Sequence, residues 1–487
     1  MRTPATASAT TPRCSVASPL PDGEAVALRR SRPVLSPRRT GDTMIDSAQT
    51  PRSTELTFSL PPGGVDAIVA TLAAEDPAAP AFVYERIDPF SREPLTTWIG
   101  LTVRRRRPRS AESAYDALRD ELREARADGA AGGVFAFVAY PDAPDRRPTP
   151  AGGLLTPDEV LLGLIDYIRI DHREGTARVI HVGEGGEQQV RAWAELCARA
   201  VSSPLDTSDR GSDFGWTPAV SEQVFADAVT SFQSRSESSG VGGVVLSVPV
   251  TSTLPSEPVS SYRTLRSINP STCMFLVQTP GFGLWGATSL SLAEVRDRYV
   301  VAETDGATHP IPELPDGEEY EWVPSAKEIS EYDVVADALW EDLAPISAPG
   351  TERFTREREK RVFFRLGHLF AEVQADIADG FDEVSVVQAL SPHGAAVGHP
   401  RPAAMAMIAE LETVPRGPFA GMIGVFETDG ATDAAAVTRS MWSTPEGSVV
   451  HAGAKVVPAS VPREEYEESV LKTLALRQSA RPLVQGD

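Results

Sequence analysis

The stretch HAGAKVVPASVPREEYEESVLK, residues 451–472, decides how this chain is read. Behind Pro462 it is predicted to form a helix. At about 100° per residue, Glu465, Glu468 and Lys472 project from one face of that helix, three and seven positions apart. Two carboxylates and an ammonium on a single face can hold a divalent ion beside an anion. Ahead of the helix, His451 to Lys455 read as a small-residue turn. A charged stripe turned to solvent has the same pattern, and Glu121 and Glu124 in DELREAR repeat the spacing in an ordinary amphipathic helix.

The totals narrow the function. With 487 residues, 41% of them apolar, there is material for one large body or two. The formal charge of −22 argues against a nucleic-acid surface or an anionic membrane as partner. An anionic substrate would need a local metal, or a few placed Lys and Arg, to be held against that field. Cys14, Cys197 and Cys273 are too scattered for a disulfide frame or a zinc site, which points to the cytoplasm. No apolar run approaches the roughly 18 residues of a membrane span. Residues 1–43 carry seven Arg against three acids and no continuous apolar core, so a secretory signal is not expected. They read as a disordered tail, or translation begins at Met44.

Along the chain, LTFSL, AFVYERI, TTWIGLTV and GGVFAFVAY read as strands and SAYDALRDELREARA as a helix. PDEVLLGLIDYIRI is predicted helical, its second half also admitting a strand. The polar, breaker-rich interval 203–215 reads as a linker between an N-terminal part, 44–202, and a C-terminal part, 216–487. The second half is predicted to hold helices over about 325–342 and 355–379 and at PAAMAMIAELE, with strands at CMFLVQT, AGMIGVFE and AAAVTRSMW. Strands and helices interleave without a βαβ cadence, which implies a layered α/β (α+β) body.

Several pieces, in this order, resemble the chorismate-utilising family: component I of anthranilate synthase, aminodeoxychorismate synthase, and the isochorismate and salicylate synthases. They are YRTLRSINPSTCMFLV, KEISEY, the His of GHLFAEV, GHPRPAAMAMIAELETVPRGPFAGMIGVF, VTRSMW and the opening stretch. The resemblance runs from about residue 55 to 475. It implies two large antiparallel sheets stacked face to face, helices outside, with the site on the C-terminal half. Glu328 and Glu331 share a face of their predicted helix. With Glu465 and Glu468 they match the family's metal-binding acids, which implies Mg²⁺. His368 matches a His near the substrate's ring carbons, and Thr308 a Thr that usually sits in a Gly-Thr-Arg run. Arg439 and Lys472 match cations that meet the substrate's carboxylates, and Gly453 a turn whose N–H groups do the same.

The departures are as informative. The family's Pro-Glu pair, whose Glu is proposed to help the C4 hydroxyl leave, reads Leu290-Ser291 here, and serine is far too weak an acid to replace it. Lys455 stands for the second Gly of a Gly-Ala-Gly turn and His309 for the Arg after Thr308. Water-adding members carry a Lys where Gly243 stands, and aminodeoxychorismate synthases one where Gly306 stands. The two missing lysines favour amination with ammonia. The chain has no Cys nucleophile elbow, so ammonia would come from a separate glutaminase subunit or free in solution. The expectation is a Mg²⁺-dependent lyase or aminating synthase acting on chorismate, of the anthranilate or 2-amino-2-deoxyisochorismate synthase type, in specialised metabolism. Its alternatives are a water-adding or altered-substrate relative, and an impaired one that binds a ligand or partner.

Overall fold

The computed structural model describes residues 53–106, 113–127, 132–141, 156–205, 214–312, 321–363 and 366–483. They fall within one compact unit, Thr50–Asp487. The expectations for residues 1–43, and for 206–213 within the anticipated linker, lie outside them. No described helix is long and apolar enough to cross a membrane.

Period-two alternation with both phases apolar builds the architecture. In the strand Phe82–Ile87, Phe82 and Tyr84 enter one core and Val83 another. In Gly133–Val138, Phe135 and Phe137 join the first of these, while Val134 and Ala136 face a third. Strands apolar on both faces must be covered on both sides, and this forces layers.

One antiparallel layer runs Gly243–Ser252, Gly447–Val456, Ser440–Thr444, Phe282–Thr288, Cys273–Thr279, Phe82–Ile87, Pro94–Arg106, Glu159–Asp171. The other starts from the same Glu159–Asp171 and continues through Gly133–Val138, Met422–Glu427, Thr432–Ala436, Ser291–Arg296, Tyr299–Pro310, Leu366–Asp376 and Arg353–Phe363. Phe82 of the first layer stacks on Phe135 of the second, centroids 4.3 Å apart, in the aromatic core between them. Helices Gly64–Glu75, Glu187–Ala198 and Pro258–Ile268 pack on the outer face of the first layer. Ala114–Ala127, Ala326–Leu343 and Glu383–Leu390 cover the second.

Four local expectations are corrected. The segment 355–379 is not a helix: it lies in the hairpin Arg353–Phe363 and Leu366–Asp376, so His368 is on a strand. Leu369, Ala371, Val373 and Ala375 are buried at every second position, and the charged run TREREKR offers no apolar stripe for a helix to bury. PDEVLLGLIDYIRI is the strand Glu159–Asp171, with Leu162 and Leu164 turned to the inter-layer core and Leu161 to the outer one. AAAVTRSMW is two strands, Thr432–Ala436 and Ser440–Thr444, broken where Arg439 takes φ 47°. The run from His451 to Lys455 is no turn but part of the strand Gly447–Val456, hydrogen-bonded on both edges, where small side chains fit the close packing.

His393, fully enclosed behind the second layer, shows what the fold demands of its histidines. One ring nitrogen accepts from the Ala395 N–H and the other donates to the Glu303 carbonyl, each at 3.0 Å, so the neutral ring satisfies both. Burial pushes it down from 6.5 to about 4. Because the folded value lies below the unfolded one, the unfolded chain takes up the proton first as pH falls. The stabilisation is complete above about pH 6.5 and drains away toward about 4, at up to ~1.4 kcal/mol per pH unit. Urea unfolding at about pH 5 should therefore show roughly 2 kcal/mol less stability than at neutrality from this residue. His393→Asn, which keeps an acceptor without a titrating ring, should recover most of that difference; an unchanged pH dependence would refute the assignment.

Candidate active site

A cavity of about 420 Å³ lies where the helices Ala326–Leu343 and Pro462–Leu471 meet the strands Tyr299–Pro310 and Gly447–Val456. Glu328, Glu331, Glu465 and Glu468 all line it, although the two pairs are far apart in the chain. The first pair is positioned by a capping box, in which Ser325 accepts from the Glu328 N–H and the Glu328 carboxylate accepts from the Ser325 N–H. The second pair is positioned by Pro462 at the start of its helix.

Every one of these carboxylates has a cationic or ionisable neighbour. Lys327 Nζ lies 3.4 Å from Glu465 Oε1 and 3.6 Å from Glu331 Oε1, tying the two helices together. Lys472 Nζ is 2.8 Å from Glu468 Oε1 and donates to the Gly453 carbonyl at 3.1 Å. His309 Nδ1 is 2.9 Å from Glu328 Oε1. Burial pushes the Glu331 and Glu465 carboxyls up, more than their lysine neighbours pull them down. Burial would raise Glu328 as well, but hydrogen bonds from Ser325 and His309 hold it below the usual carboxylate range. Among the described residues, no three His, Cys, Asp or Glu converge as a closed metal cage. Mg²⁺ does not need one, since it binds through one or two carboxylates, substrate oxygens and water. The two carboxylates drawn around the Lys327 ammonium, Glu331 and Glu465, are oxygen donors that fit such an ion.

Arg439, His368, Lys455 and Thr308 also line the cavity. Arg439 is half-buried in the strained turn between its two strands, and its Nη2 donates to His368 Nε2. That leaves the other ring nitrogen of His368 to donate to the Ala307 carbonyl. Burial pushes His368 down to about 3, with Asp305 opposing and Arg439 and Lys472 adding to the effect. The ring is therefore neutral at ordinary pH and braces Arg439. Lys455 Nζ donates to the Glu331 carbonyl at 2.8 Å, and burial pushes its ammonium down to about 8. Its Cε lies 3.2 Å from where a Cβ on Gly243 would sit, so its stem fills that space. Thr308 reaches the same cavity after a register shift that follows Gly306.

Of the residues singled out from sequence, Ser291 alone is absent from the wall. Ser289 and Leu290 line the cavity, but Ser291 begins a strand paired to Ala435 and is fully enclosed, its hydroxyl without a partner. Two residues of the wall went unnoticed in the sequence. Lys327 sits inside KEISEY, where the acids drew attention. Asp305, in AETDGATHP, is an acid two residues after Glu303 on the strand Tyr299–Pro310, where the alternation of acids gives no sign of burial.

The comparisons agree on kinship. The model of the chorismate binding enzyme family matches residues 87–478. Aminodeoxychorismate synthase component 1 of Bacillus subtilis is 26% identical over 72% of this chain and 77% of its own length. Anthranilate synthase component 1 of Thermus thermophilus is 29% identical over 71% and 76%. Among solved structures, anthranilate synthase component I of Streptococcus pneumoniae superposes with a TM-score of 0.61 at 19% identity, covering 90% of this chain and 95% of that one. The menaquinone-specific isochorismate synthase of Escherichia coli gives 0.64 at 17%, covering 88% and 95%. At these identities the structures speak for the fold.

Gly453 lets its strand pack closely on the neighbouring strand Gly243–Ser252. A Cβ there would lie 2.7 Å from the Leu246 carbonyl oxygen and 3.1 Å from Val245 Cγ1, and a backbone oxygen cannot yield as a side-chain tip can. Gly453→Ala should lower unfolding stability by about 1–3 kcal/mol. Gly242→Ala, which meets nothing within 4 Å, is the control. Equal denaturant midpoints for the two variants would contradict this account of the strand contact.

Proposed function

The chain belongs to the chorismate binding enzyme family, and from that premise we propose that it is a Mg²⁺-dependent enzyme that aminates chorismate or a close relative at C2 with loss of the C4 hydroxyl. The observation that carries the reading is the meeting of four carboxylates and the cations Arg439, Lys455 and Lys472 around one cavity of ring-molecule size. Glu331 and Glu465, with Glu328 and Glu468, would hold the ion, and Mg²⁺ when bound would fix a substrate carboxylate and neutralise charge that develops as the hydroxyl departs.

The remaining roles belong to the chain's own groups. Arg439 presents a guanidinium fork to a carboxylate, and the neutral His368 ring keeps it from collapsing away from the cavity. Lys472, anchored on Glu468 and the Gly453 carbonyl, adds a second cation. Thr308 offers a hydroxyl to the bound ring. Ser291 donates nothing to the leaving oxygen, because it is walled off as well as weakly acidic. The changed residues, His309 and Lys455 in the cavity wall and Ser291 enclosed behind it, favour a role in specialised metabolism. Ammonia is supplied by a separate glutaminase subunit or taken from solution. Burial pushes the Cys197 and Cys273 thiols up to about 12 and 11, which unfits both as nucleophiles. A cytoplasmic setting suits such free thiols.

One observation favours water as the nucleophile instead. The place at Gly243, where water-adding members carry a Lys, is filled by the stem of Lys455, so an ammonium is returned from the neighbouring strand.

Incubation of the purified protein with chorismate and MgCl₂, with and without ammonium salt, tests both readings by mass spectrometry of the products. An aminated product that needs ammonium and disappears with EDTA is the expected result. A chorismate isomer of the same mass, resolved from chorismate by chromatography, formed equally without ammonium and lost in Lys455→Gly, would establish the second reading. Unchanged chorismate under all conditions, across neutral to alkaline pH, would count against the enzyme altogether.

A further inference from the structure

Asp305 is the one acid of the cavity wall that the metal-site reading does not use. It lies on the strand Tyr299–Pro310, is 9% exposed, and lines the cavity together with Ser289, His368 and Arg439. Ser289 hydrogen-bonds to its carboxyl, and Oδ2 is enclosed with no protein partner. Burial would raise it, but His368, Ser289, Arg439 and Arg361 outweigh burial and hold it below the usual range, so it is an anion in the free protein.

An enclosed carboxylate oxygen with nothing to accept from is costly, on the order of 1–3 kcal/mol or more. It is an odd neighbour for a negatively charged substrate. The second difficulty vanishes if the bound molecule brings a neutral donor to the part of the carboxyl that lines the cavity. A second ammonium would be repelled by the adjacent Arg439 guanidinium, whereas a hydroxyl would not. Arg439 and Asp305 therefore form a two-point reader for a ring that carries a carboxylate and a hydroxyl on neighbouring edges.

We propose that Asp305 accepts a hydrogen bond from the ring hydroxyl of the substrate, and that this contact makes the cavity select hydroxylated ring acids over their deoxy counterparts. The assignment rests on the chorismate reading and adds a specificity-determining residue to it. It holds for either nucleophile, because both reactions begin from the hydroxylated ring. A site whose acceptor is left unpaired by the wrong ligand rejects that ligand more strongly than lost contact area alone would.

The test is calorimetric titration of the full-length protein in Mg²⁺ buffer with chorismate and with 4-deoxychorismate, which lacks only the hydroxyl. Wild type should prefer chorismate by on the order of ten- to a hundredfold, the range for a hydrogen bond to a charged acceptor. Asp305→Ala should bind the two within about twofold of each other, mainly by gaining affinity for the deoxy compound. The isosteric Asp305→Asn keeps the packing and should show an intermediate ratio. A purely structural Asp305 would weaken both ligands together and leave the ratio alone. A wild-type preference retained in both variants overturns the assignment of Asp305 while leaving the chorismate reading intact. Failure of wild type to bind either compound overturns both.

Discussion

Four carboxylates cannot share the wall of one cavity unless cations stand between them, and that constraint organises this molecule. Lys327 is placed where it touches an acid from each of two helices that have no other reason to converge. Exposed ion pairs are worth little, but Glu331 and Glu465 are largely buried, and removing the ammonium would leave two like charges facing one another in a poorly solvated space. On the metal-binding reading proposed above, the pairing is an arrangement in which a stronger cation would displace Lys327, rather than a source of stability. Lys327 is half exposed and free to withdraw toward solvent, whereas the acids are held by the capping box at Ser325 and the Pro462 turn.

The two stacked layers exist to bring those helices together. Helix Ala326–Leu343 rests on the second layer, and Pro462–Leu471 packs beside the strand that carries Gly453 and Lys455, one strand in from the end of the first. The layers join at Glu159–Asp171, so the distance between the helices is set by an aromatic core in the middle rather than by contacts at the site. Core mutations there should be felt as misplacement of the acids before they are felt as unfolding, because close-packed interiors transmit small shifts.

Much of this was legible in the sequence, for reasons that differ from one residue to the next. The two Glu pairs could be found because helix periodicity puts positions three apart on one face, and their helices carry clear starts at Ser325 and Pro462. The strand that holds His368 was misread because LGHLFAEVQADI satisfies both periods over a short window, and only the pairing of Tyr299–Pro310 with it decides between them. Arg439 was identified as a cation for the substrate, but its left-handed backbone was not, since nothing in VTRSMW marks a turn; such strain is tolerated where the surroundings over-determine it. Ser291 stands where the family's acid would, but the place in the wall belongs to Ser289, two residues ahead of it and before the strand that begins at Ser291. Asp305 escaped notice because an acid in a strand reads as solvent-facing until the layer that covers it is known.

The overall charge of −22 raises the question of how such a chain admits an anion at all. Surface charges are screened over about 8 Å at physiological salt, so most of that field does not reach the bottom of an enclosed cavity. Inside, the balance is local. Lys327, Lys455, Lys472 and Arg439 face Glu328, Glu331, Glu465, Glu468 and Asp305, which leaves the walls close to neutral without an ion and positive with a divalent one. On the function proposed above, a dianionic substrate would be admitted only together with the metal, and the metal would be retained best with the substrate present. Each binding step supplies the charge that the other lacks, and this coupling follows from the wall alone, without any movement of the fold.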